Sequence, residues 1–257
     1  MSHADPGRRV TVVVNDATRP AVAHALLEPV ADLLEGRVRI IVATGTHEDV
    51  PGTMKDHLLG GLFPGACWTC NTRGGGERVR LGRTSSGTEV GVHPWLVEAD
   101  TVIIAGSVEP HYFAGFTGGR KAVLPGCAAF ESVEANHSLA CLEGSAPAVL
   151  EGNPVHADMA EAAEMLERLV PVVMAGAVVR GNRGLHIAVG SLAEAFASCV
   201  GSARDHLCVG MAHPVERIVL KPGGGLETNL YQSMKALYNF EAAVSEGGAV
   251  LIDSECP

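Results

Sequence analysis

Alternating apolar runs and helical periodicity predict that the chain opens with a strand, a helix and a second strand. Residues 8–14 and 37–44 are rich in Val and Ile, and residues 21–35 carry apolar side chains at helical spacing. Only Gly36 separates the helix from the second run. Two strands joined in this way must run parallel, with a right-handed crossover. The start of the chain is therefore predicted to be a βαβ unit.

The pattern is less regular over residues 52–98. It predicts a short helix near 53–60, a glycine-rich turn at 74–76 and a hairpin around 85–87. The stretch around residues 67–70 has the composition of a loop.

Strand and helix patterns alternate again over the rest of the chain. Strands are predicted at 101–106, 169–175, 184–189, 216–220 and 248–252. Helices are predicted at 129–142, 155–167, 191–205 and 229–245. This order favours an α/β fold with one open, mostly parallel, Rossmann-like sheet and helices on both faces.

Composition narrows the class of protein and of partner. Hydrophobic residues make up 47% of the chain, as expected for strands buried on both faces, whereas aromatic residues make up only 4%. A formal net charge of −10 repels a phosphate backbone, so no nucleic-acid partner is expected. The chain begins with polar residues and has no apolar run of about 18 residues, which predicts no membrane contact and a cytoplasmic location.

Seven cysteines occur at irregular spacing, which is typical of a reducing compartment. Cys67 and Cys70 form a C-x-x-C pair without a second pair to complete a zinc site. A structural role is favoured for this pair, and redox or metal chemistry remains the alternative.

Polar residues with catalytic potential follow three of the predicted strands. Asp16, Thr18 and Arg19 follow the first strand, His47 follows the second, and His111 comes soon after the strand at 101–106. The carboxyl ends of parallel strands meet at one edge of a sheet, where ligands bind. Helix capping and ordinary loop hydrogen bonds remain open as simpler explanations of each group.

A glycine-rich segment at residues 113–126 is the most distinctive stretch. Gly118 and Gly119 allow backbone N–H groups to approach a phosphate, and Arg120 and Lys121 supply positive charge. The segment is neither a P-loop nor a dinucleotide fingerprint. A lysine in a tight, desolvated loop is also a candidate nucleophile. A phosphate-binding loop without covalent chemistry is the alternative.

Two predicted helices carry further candidates. His137 lies on the helix that follows the glycine-rich segment, and an imidazole there is a reasonable nickel, copper or zinc ligand. Gln232 and Lys235 lie three residues apart on a later helix and are candidates to bind a carboxylate together. A solvated helix face is the simpler reading of that pair. The other histidines are interpreted as surface or hydrogen-bonded core residues.

Five ordered elements resemble those of the nickel-pincer lactate racemase family. A D-x-x-R-P element lies at residues 16–20, a T-G-x-H element at 44–47 and the long glycine-rich element at 111–126. The family's A-N-H element lies at 135–137 and its Y-Q-x-x-K element at 231–235. The resemblance thus runs along most of the chain.

The resemblance implies a covalently held cofactor. Lys121 is expected to carry pyridinium-3,5-bisthiocarboxylic acid mononucleotide, the nickel-pincer nucleotide, and His137 is expected to bind its nickel. Asp16 and Arg19 would help to position this cofactor. Gly118 and Gly119 are assigned to the same cofactor site, and separate cofactor-synthesis proteins are implied as partners.

The resemblance also implies the reaction, which is racemisation or epimerisation of a small 2-hydroxy acid such as lactate. His47 and His111 would alternate as acid and base, since two imidazoles with ordinary pKa near 6.5 serve both directions near neutral pH. The α-hydride requires a cofactor. Arg19 would bind the substrate carboxylate, with further substrate contacts expected from Tyr231, Gln232 and Lys235.

Family members usually continue into a second domain beyond this length. Residues 1–257 are therefore expected to correspond to the N-terminal catalytic domain, with the C-terminal domain missing or truncated. An open site is expected to admit water and slow turnover.

Two other interpretations compete with the racemase. One is a non-catalytic domain that binds a nickel-pincer or other mononucleotide, and the other is a transferase that uses only the loop at 118–121. The presence of His47, His111 and Arg19 favours the enzyme, because a pure cofactor binder needs no pair of bases. The sequence leaves the particular 2-hydroxy acid and the oligomeric state open.

Overall fold

The structure is a computed structural model that describes residues 9–47, 49, 51–71, 76–223, 226–227 and 229–256. The predicted turn at 74–76 lies mostly outside these residues.

The described residues form twelve strands, numbered here in chain order. They are β1 Val10–Asn15, β2 Val38–Ala43, β3 Cys67–Cys70, β4 Val79–Arg83, β5 Glu89–Val92, β6 Thr101–Ser107, β7 Pro110–His111, β8 Gly115–Phe116, β9 Val172–Arg180, β10 Arg183–Ser191, β11 Val215–Leu220 and β12 Val244–Ile252.

The same residues form eight α-helices. They are α1 Ala23–Leu27, α2 Ala31–Leu34, α3 Met54–Leu59, α4 Pro94–Val97, α5 Phe130–Ser138, α6 Pro154–Glu167, α7 Leu192–Leu207 and α8 Leu230–Phe240. Short 3₁₀ segments lie at Glu28–Val30, Gly119–Ala122, Leu139–Cys141 and Glu241–Ala243.

A six-stranded sheet forms the centre of the fold, in the order β10-β9-β6-β1-β2-β3. Its neighbours are parallel except for the antiparallel edge pair β9 and β10. The predicted α/β class with an open, mostly parallel sheet is confirmed. The βαβ unit at the start of the chain is confirmed as well, with Val10 paired to Val38 and Asn15 to Ala43.

Both faces of this sheet are buried, which explains why its strands are almost continuously apolar. Val13 and Ile41 face one core cluster, which includes Met159 of α6 and Phe196 of α7. The alternate strand positions face a second cluster that contains the helical residues Leu26, Leu27, Leu58 and Leu59. The side-chain period of two sends neighbouring strand residues to opposite clusters.

Three details differ from the predictions. The predicted helix at 21–35 is divided by the 3₁₀ segment Glu28–Val30, because Pro29 has no N–H for a continuous helical ladder. The predicted loop at 67–70 is wrong, since these residues form strand β3 beside β2. Cys67 and Cys70 are three positions apart on that strand, so their side chains leave opposite faces.

The third difference concerns the last two strands. They form where predicted, but β11 and β12 pair with each other in a separate parallel sheet and do not join the central one. We call β11, α8 and β12 (Val215–Ile252) the C-terminal unit. Several of its large apolar side chains are exposed, namely Val219, Leu230, Tyr231, Tyr238, Phe240 and Leu251.

The predicted hairpin around residues 85–87 is confirmed by the antiparallel pair β4 and β5. Among the described residues there is no helix with the length and apolar character needed to cross a membrane.

Candidate active site

A cleft opens at the carboxyl edge of the central sheet and encloses a cavity of about 140 Å³. The ends of β1, β2 and β6 form its floor, where the parallel register brings them together. Ten residues singled out from the sequence line this cleft, namely Asp16, Arg19, His47, His111, Gly118, Gly119, Lys121, His137, Tyr231 and Lys235.

Asp16 and His47 form the first pair of interacting side chains in the cleft. Nδ1 of His47 lies 2.5 Å from Oδ2 of Asp16. The other carboxylate oxygen of Asp16 accepts hydrogen bonds from the backbone N–H and the hydroxyl of Thr18. Burial raises the pKa of Asp16, but the hydrogen bonds from His47 and Thr18 outweigh burial and leave this pKa below its usual value. The carboxylate therefore stays charged and orients the imidazole.

Arg19 approaches the cleft from the same strand end. Its Nη1 lies 3.9 Å from Oε2 of Glu109, and both side chains are partly exposed. Oε1 of Glu109 accepts a hydrogen bond from the Ser107 hydroxyl at 2.6 Å. At 3.9 Å the ion pair holds the guanidinium loosely, so Arg19 keeps N–H donors for an anionic ligand.

His111 and Lys121 form the second pair. Nε2 of His111 lies 3.0 Å from Nζ of Lys121, and the backbone N–H of Ala114 donates to Nδ1 of His111 at 3.3 Å. Burial lowers the pKa of His111 well below its usual value. Burial also lowers the pKa of Lys121 well below its usual value, and the cations Arg19, Arg120 and Lys235 act in the same direction while Asp16 opposes them. Burial therefore disfavours the charged form of both groups.

His137 projects from α5 into the cleft, with its ring 5.0 Å from the Phe113 ring in an edge-on arrangement. Its Nδ1 atom is buried and has no hydrogen-bond partner of normal geometry. Burial and then the charge of Lys121 lower the pKa of His137 to about 4, although the backbone of Val133 opposes this. A neutral imidazole with an unsatisfied nitrogen is the form that binds a metal ion.

A buried carboxylate lies behind His137. Asp158 of α6 accepts hydrogen bonds from the hydroxyls of Thr84 and Thr88 and from the amide of Asn136. Asn136 precedes His137 on α5 and is fully buried. This network joins the tip of the β4–β5 hairpin to the two helices, and it fixes the helix that carries His137.

The glycine-rich segment is held tightly against β6. Gly118 has φ +77°, and a Cβ atom at this position would lie 2.6 Å from the carbonyl oxygen of Ser107. Gly119 has φ +53°, and its Cβ atom would lie 2.9 Å from the Phe196 ring. The structure thus explains both glycines by close packing.

Arg120 does not line the cleft, which differs from the expectation that it supplies charge to a ligand. It is buried and donates to the carbonyls of Ala114 and Gly118 and to Nδ1 of His156. Its guanidinium also lies 4.3 Å from the centre of the Phe196 ring. Arg120 therefore supports the segment that carries Lys121 from the inside of the protein.

Helix α8 supplies the outer wall of the cleft. Tyr231 and Lys235 line the cleft, whereas Gln232 does not. Gln232 lies in the first turn, where its backbone N–H is capped by the Asn229 side chain. The structure therefore replaces the expected pair of Gln232 and Lys235 by Tyr231 and Lys235, whose Nζ lies 5.3 Å from the Tyr231 ring centre.

Aromatic contacts join α8 to the rest of the site. The Tyr112 ring stacks on His111 at 4.7 Å and on Tyr238 of α8 at 5.4 Å. Burial raises the pKa of Tyr112, and a hydrogen bond with Tyr231 acts in the same direction. Sequence reasoning did not assign a role to Tyr112 or Tyr238, and the only available signal was the place of Tyr112 beside His111.

Glu48, which follows His47, and the second and third glycines of the run at 223–225 lie outside the described residues.

These groups together define the chemistry that the cleft can perform. Two imidazoles with separate supporting partners can exchange protons with one small ligand. Arg19 and Lys235 can attract an anion, Lys121 offers an amine, and His137 offers a ring nitrogen for a metal ion.

The chain is similar to known proteins over most of its length. The family model described as the lactate racemase N-terminal domain matches residues 1–148. The chain is 28% identical over 263 residues to the lactate racemase of Thermoanaerobacterium thermosaccharolyticum, covering 98% of this chain and 61% of that protein. It is 29% identical over 265 residues to the lactate racemase of Lactiplantibacillus plantarum, covering 95% of this chain and 59% of that protein.

Solved structures show the same fold. The lactate racemase apoprotein of Thermoanaerobacterium thermosaccharolyticum superposes with a TM-score of 0.88 at 28% identity, over 97% of this chain and 62% of that one. A Thermotoga maritima protein superposes with a TM-score of 0.81 at 18% identity, over 96% of this chain and 67% of that one, a likeness of fold alone. The chain thus spans about three fifths of its curated relatives' length. Since the family model covers more than half of its residues, the chain belongs to the lactate racemase N-terminal domain family.

Proposed function

We propose that this protein interconverts the enantiomers of a small 2-hydroxy acid of the lactate type. The observation that carries the proposal is the presence in one cleft of two imidazoles, each with its own buried partner. His47 is paired with Asp16, and His111 with Lys121. Racemisation needs such a pair, because a proton must be taken from either enantiomer and returned to the other.

His47 is the better-defined base. The Asp16 carboxylate accepts the Nδ1–H, which leaves Nε2 to accept the proton of the substrate hydroxyl and return it. The same carboxylate stabilises the imidazolium once the proton has been taken. His111 performs the matching step from the segment after β6, so the two bases belong to different walls of the cleft.

The substrate carboxylate is assigned to Arg19 and Lys235. Arg19 offers a planar fork of N–H donors that fits a carboxylate, and Lys235 adds a second cation from α8. The Tyr231 hydroxyl, on the same wall as Lys235, is assigned a further contact with the substrate. Gln232 would require a rotation of α8 to reach the cleft.

The residues present also fit the nickel-pincer nucleotide. Lys121 would carry the nucleotide, and the buried Nδ1 of His137, which has no hydrogen bond of normal geometry, supports the assignment of this ring as a nickel ligand. Asp16, Arg19 and the backbone of Gly118 and Gly119 would complete its site. When bound, the group supplies the acceptance and return of a hydride, which no side chain can perform.

Co-expression with the cofactor-synthesis proteins and nickel tests this proposal. We expect a nucleotide-sized mass on Lys121 and conversion of either pure enantiomer of lactate into a mixture, measured by chiral chromatography. Lys121→Ala should abolish both signals, whereas Lys221→Ala, at an exposed lysine paired with Asp253, should preserve both.

A histidine variant distinguishes the loss of a catalytic base from the loss of the bound cofactor. His47→Gln should retain the adduct and lower the rate by about 10²–10⁴. An adduct without conversion of any 2-hydroxy acid by the wild-type chain would contradict the racemase and indicate a binding domain.

A further inference from the structure

The two ring nitrogens of His111 have different partners, and this difference fixes the position of a proton. The backbone N–H of Ala114 can only donate, so Nδ1 of His111 must accept at 3.3 Å. A neutral imidazole with an accepting Nδ1 carries its hydrogen on Nε2. That Nε2–H then points to Nζ of Lys121 at 3.0 Å.

The partner of that N–H must be an acceptor. A protonated lysine has three N–H bonds and no lone pair, so two donors would face each other across 3.0 Å. An uncharged amine has one lone pair and can accept. We propose that Lys121 in the cofactor-free protein is an uncharged amine that accepts a hydrogen bond from Nε2 of His111, and that its acylation releases this N–H of His111 to the substrate.

The charges around Lys121 support an uncharged amine. Arg120 lies beneath it on the same segment, Arg19 approaches from the end of β1 and Lys235 from α8. Asp16 is the anion that opposes these cations. Burial and the neighbouring cations both lower the pKa of Lys121.

Acylation of Lys121 is an ordinary acyl transfer to an amine. The Nζ lone pair forms a bond to the carbonyl carbon of an activated acyl compound, such as an anhydride or a thioester. The bond to the leaving group breaks and its electron pair leaves with that group, while the surplus proton of nitrogen passes to water. The resulting amide nitrogen is conjugated with its carbonyl and no longer accepts a hydrogen bond. His111 thus becomes available only after Lys121 is modified.

This inference rests on the proposed function only in taking Lys121 as the attachment point, and it can be tested without cofactor. The chain has four lysines, Lys55, Lys121, Lys221 and Lys235, so peptide mapping separates all of them. Competitive labelling of the cofactor-free protein with acetic anhydride, from pH 7 to pH 9, gives the fraction of uncharged amine at each lysine.

The expected profiles differ strongly. A lysine of ordinary pKa near 10.4 becomes about 100-fold more reactive between pH 7 and pH 9. A lysine model peptide labelled in the same mixture should show this rise, whereas Lys121 should change by less than about threefold. A steep rise at Lys121 would overturn the proposal.

A matched pair of variants tests the role of His111. His111→Phe keeps an aromatic ring but removes the N–H donor, and we expect the Lys121 profile to steepen to at least about tenfold. His137→Phe makes the same exchange on the other side of Phe113 and should leave the profile flat. If the labelling of Lys121 stays nearly independent of pH in both variants, the hydrogen bond from His111 is not what keeps Lys121 uncharged.

Nitrogen NMR of the wild-type protein with ¹⁵N-labelled histidine gives the same answer if His111→Phe fails to fold. The proposal requires the Nε2–H tautomer of His111 in the untreated protein and a changed Nε2 signal after acetylation. An Nδ1–H tautomer contradicts it. These measurements can succeed even where no racemisation is found, so the two proposals fail separately.

Discussion

The central sheet region and the C-terminal unit both contribute to the cleft, but they hold their side chains in different ways. In the sheet region, Asp16, His111 and Asn136 are at most 7% exposed, and each has hydrogen-bond partners within that region. In the C-terminal unit, Tyr231 is 67% exposed, and the unit meets the site mainly through aromatic contacts. The proposed acid–base groups therefore lie on the more buried part, whereas the outer wall of the cleft lies on the less buried part.

Packing explains this difference. The six-stranded sheet is covered on both faces by apolar clusters, so its strand ends have one position. The two-stranded sheet of the C-terminal unit leaves Val219 and Leu251 exposed and buries few side chains of α8. A side chain that must hold a fixed distance to its partner for proton transfer needs the closely packed sheet region. A cation that only attracts a carboxylate can lie on the less buried C-terminal unit.

The largest effect is expected where the glycine-rich segment touches β6. Gly118→Ala would place a Cβ atom 2.6 Å from the Ser107 carbonyl at a φ of +77°. We expect a loss of about 3 kcal/mol or more in the free energy of unfolding, measured by urea denaturation.

Gly152→Ala is the matched control for this prediction, because Gly152 has φ +73° and open space around the added atom. Gly152→Ala should lower the free energy of unfolding by only about 1–2 kcal/mol, which is the cost of placing alanine in a left-handed backbone conformation. Equal losses in the two variants would show that contact with the sheet region contributes nothing.

A smaller effect is expected on acidification. Nδ1 of His93 accepts the Trp95 N–H, and Nδ1 of His156 accepts from Arg120. Burial lowers the pKa of each ring to about 4. The unfolded chain, with histidine pKa near 6.5, binds more protons between these values, so stability should fall as pH drops from 6.5 to 4. The contribution of Asp16 is lost only at lower pH, below 3.8.

The acid effect should amount to roughly 1–2 kcal/mol for each ring at pH 4.5, after allowance for solvent screening. His93→Asn and His156→Asn, which keep an acceptor that does not titrate, should flatten the change in urea midpoint between pH 7 and 4.5. The exposed His213→Asn is the control and should change nothing. The C-terminal unit has no histidine, and an unchanged pH dependence in both variants would contradict the assignment of the acid effect to His93 and His156.

The smallest effect on stability is expected in the C-terminal unit. Lys235→Met should raise the KM of the loaded protein for a 2-hydroxy acid by roughly tenfold, while changing the free energy of unfolding by less than about 0.5 kcal/mol. Lys221→Met, in the same unit but at an exposed ion pair with Asp253, should leave KM unchanged. A loss in kcat with an unchanged KM would contradict the assignment of Lys235 to carboxylate binding.

Much of the fold could be predicted because two of its determinants are set by short stretches of sequence. They are the spacing of apolar residues within an element and the parallel pairing of strands that one helix connects. The runs at 8–14 and 37–44 form neighbouring strands, and their ends bring Asp16 and His47 together as expected. Which sheet a strand joins depends on contacts with residues that are distant in the sequence. Residues 216–220 and 248–252 form strands as predicted, but no pattern in them indicates that they pair outside the central sheet.

Part of the site depended on side-chain directions that spacing does not determine. On α8, residues 231 and 235 share a face as well as residues 232 and 235 do, and only packing selects Tyr231. Arg120 and Lys121 are adjacent in an irregular segment, yet one is directed to the core and the other to the cleft. The contact between His111 and Lys121 was likewise not predictable, because the segment between them has no repeat.

The Asp158 network has a consequence for how such proteins can diverge. Thr84, Thr88 and Asn136 all satisfy the same buried carboxylate, although up to 74 positions separate them from it in the chain. Loss of Asp158 alone leaves the hydroxyls of Thr84 and Thr88 without this acceptor and leaves the Asn136 amide with the Val155 carbonyl only. We therefore expect a tolerated exchange of Asp158 to require compensating exchanges at both threonines, which couples the hairpin tip to the helix that carries His137.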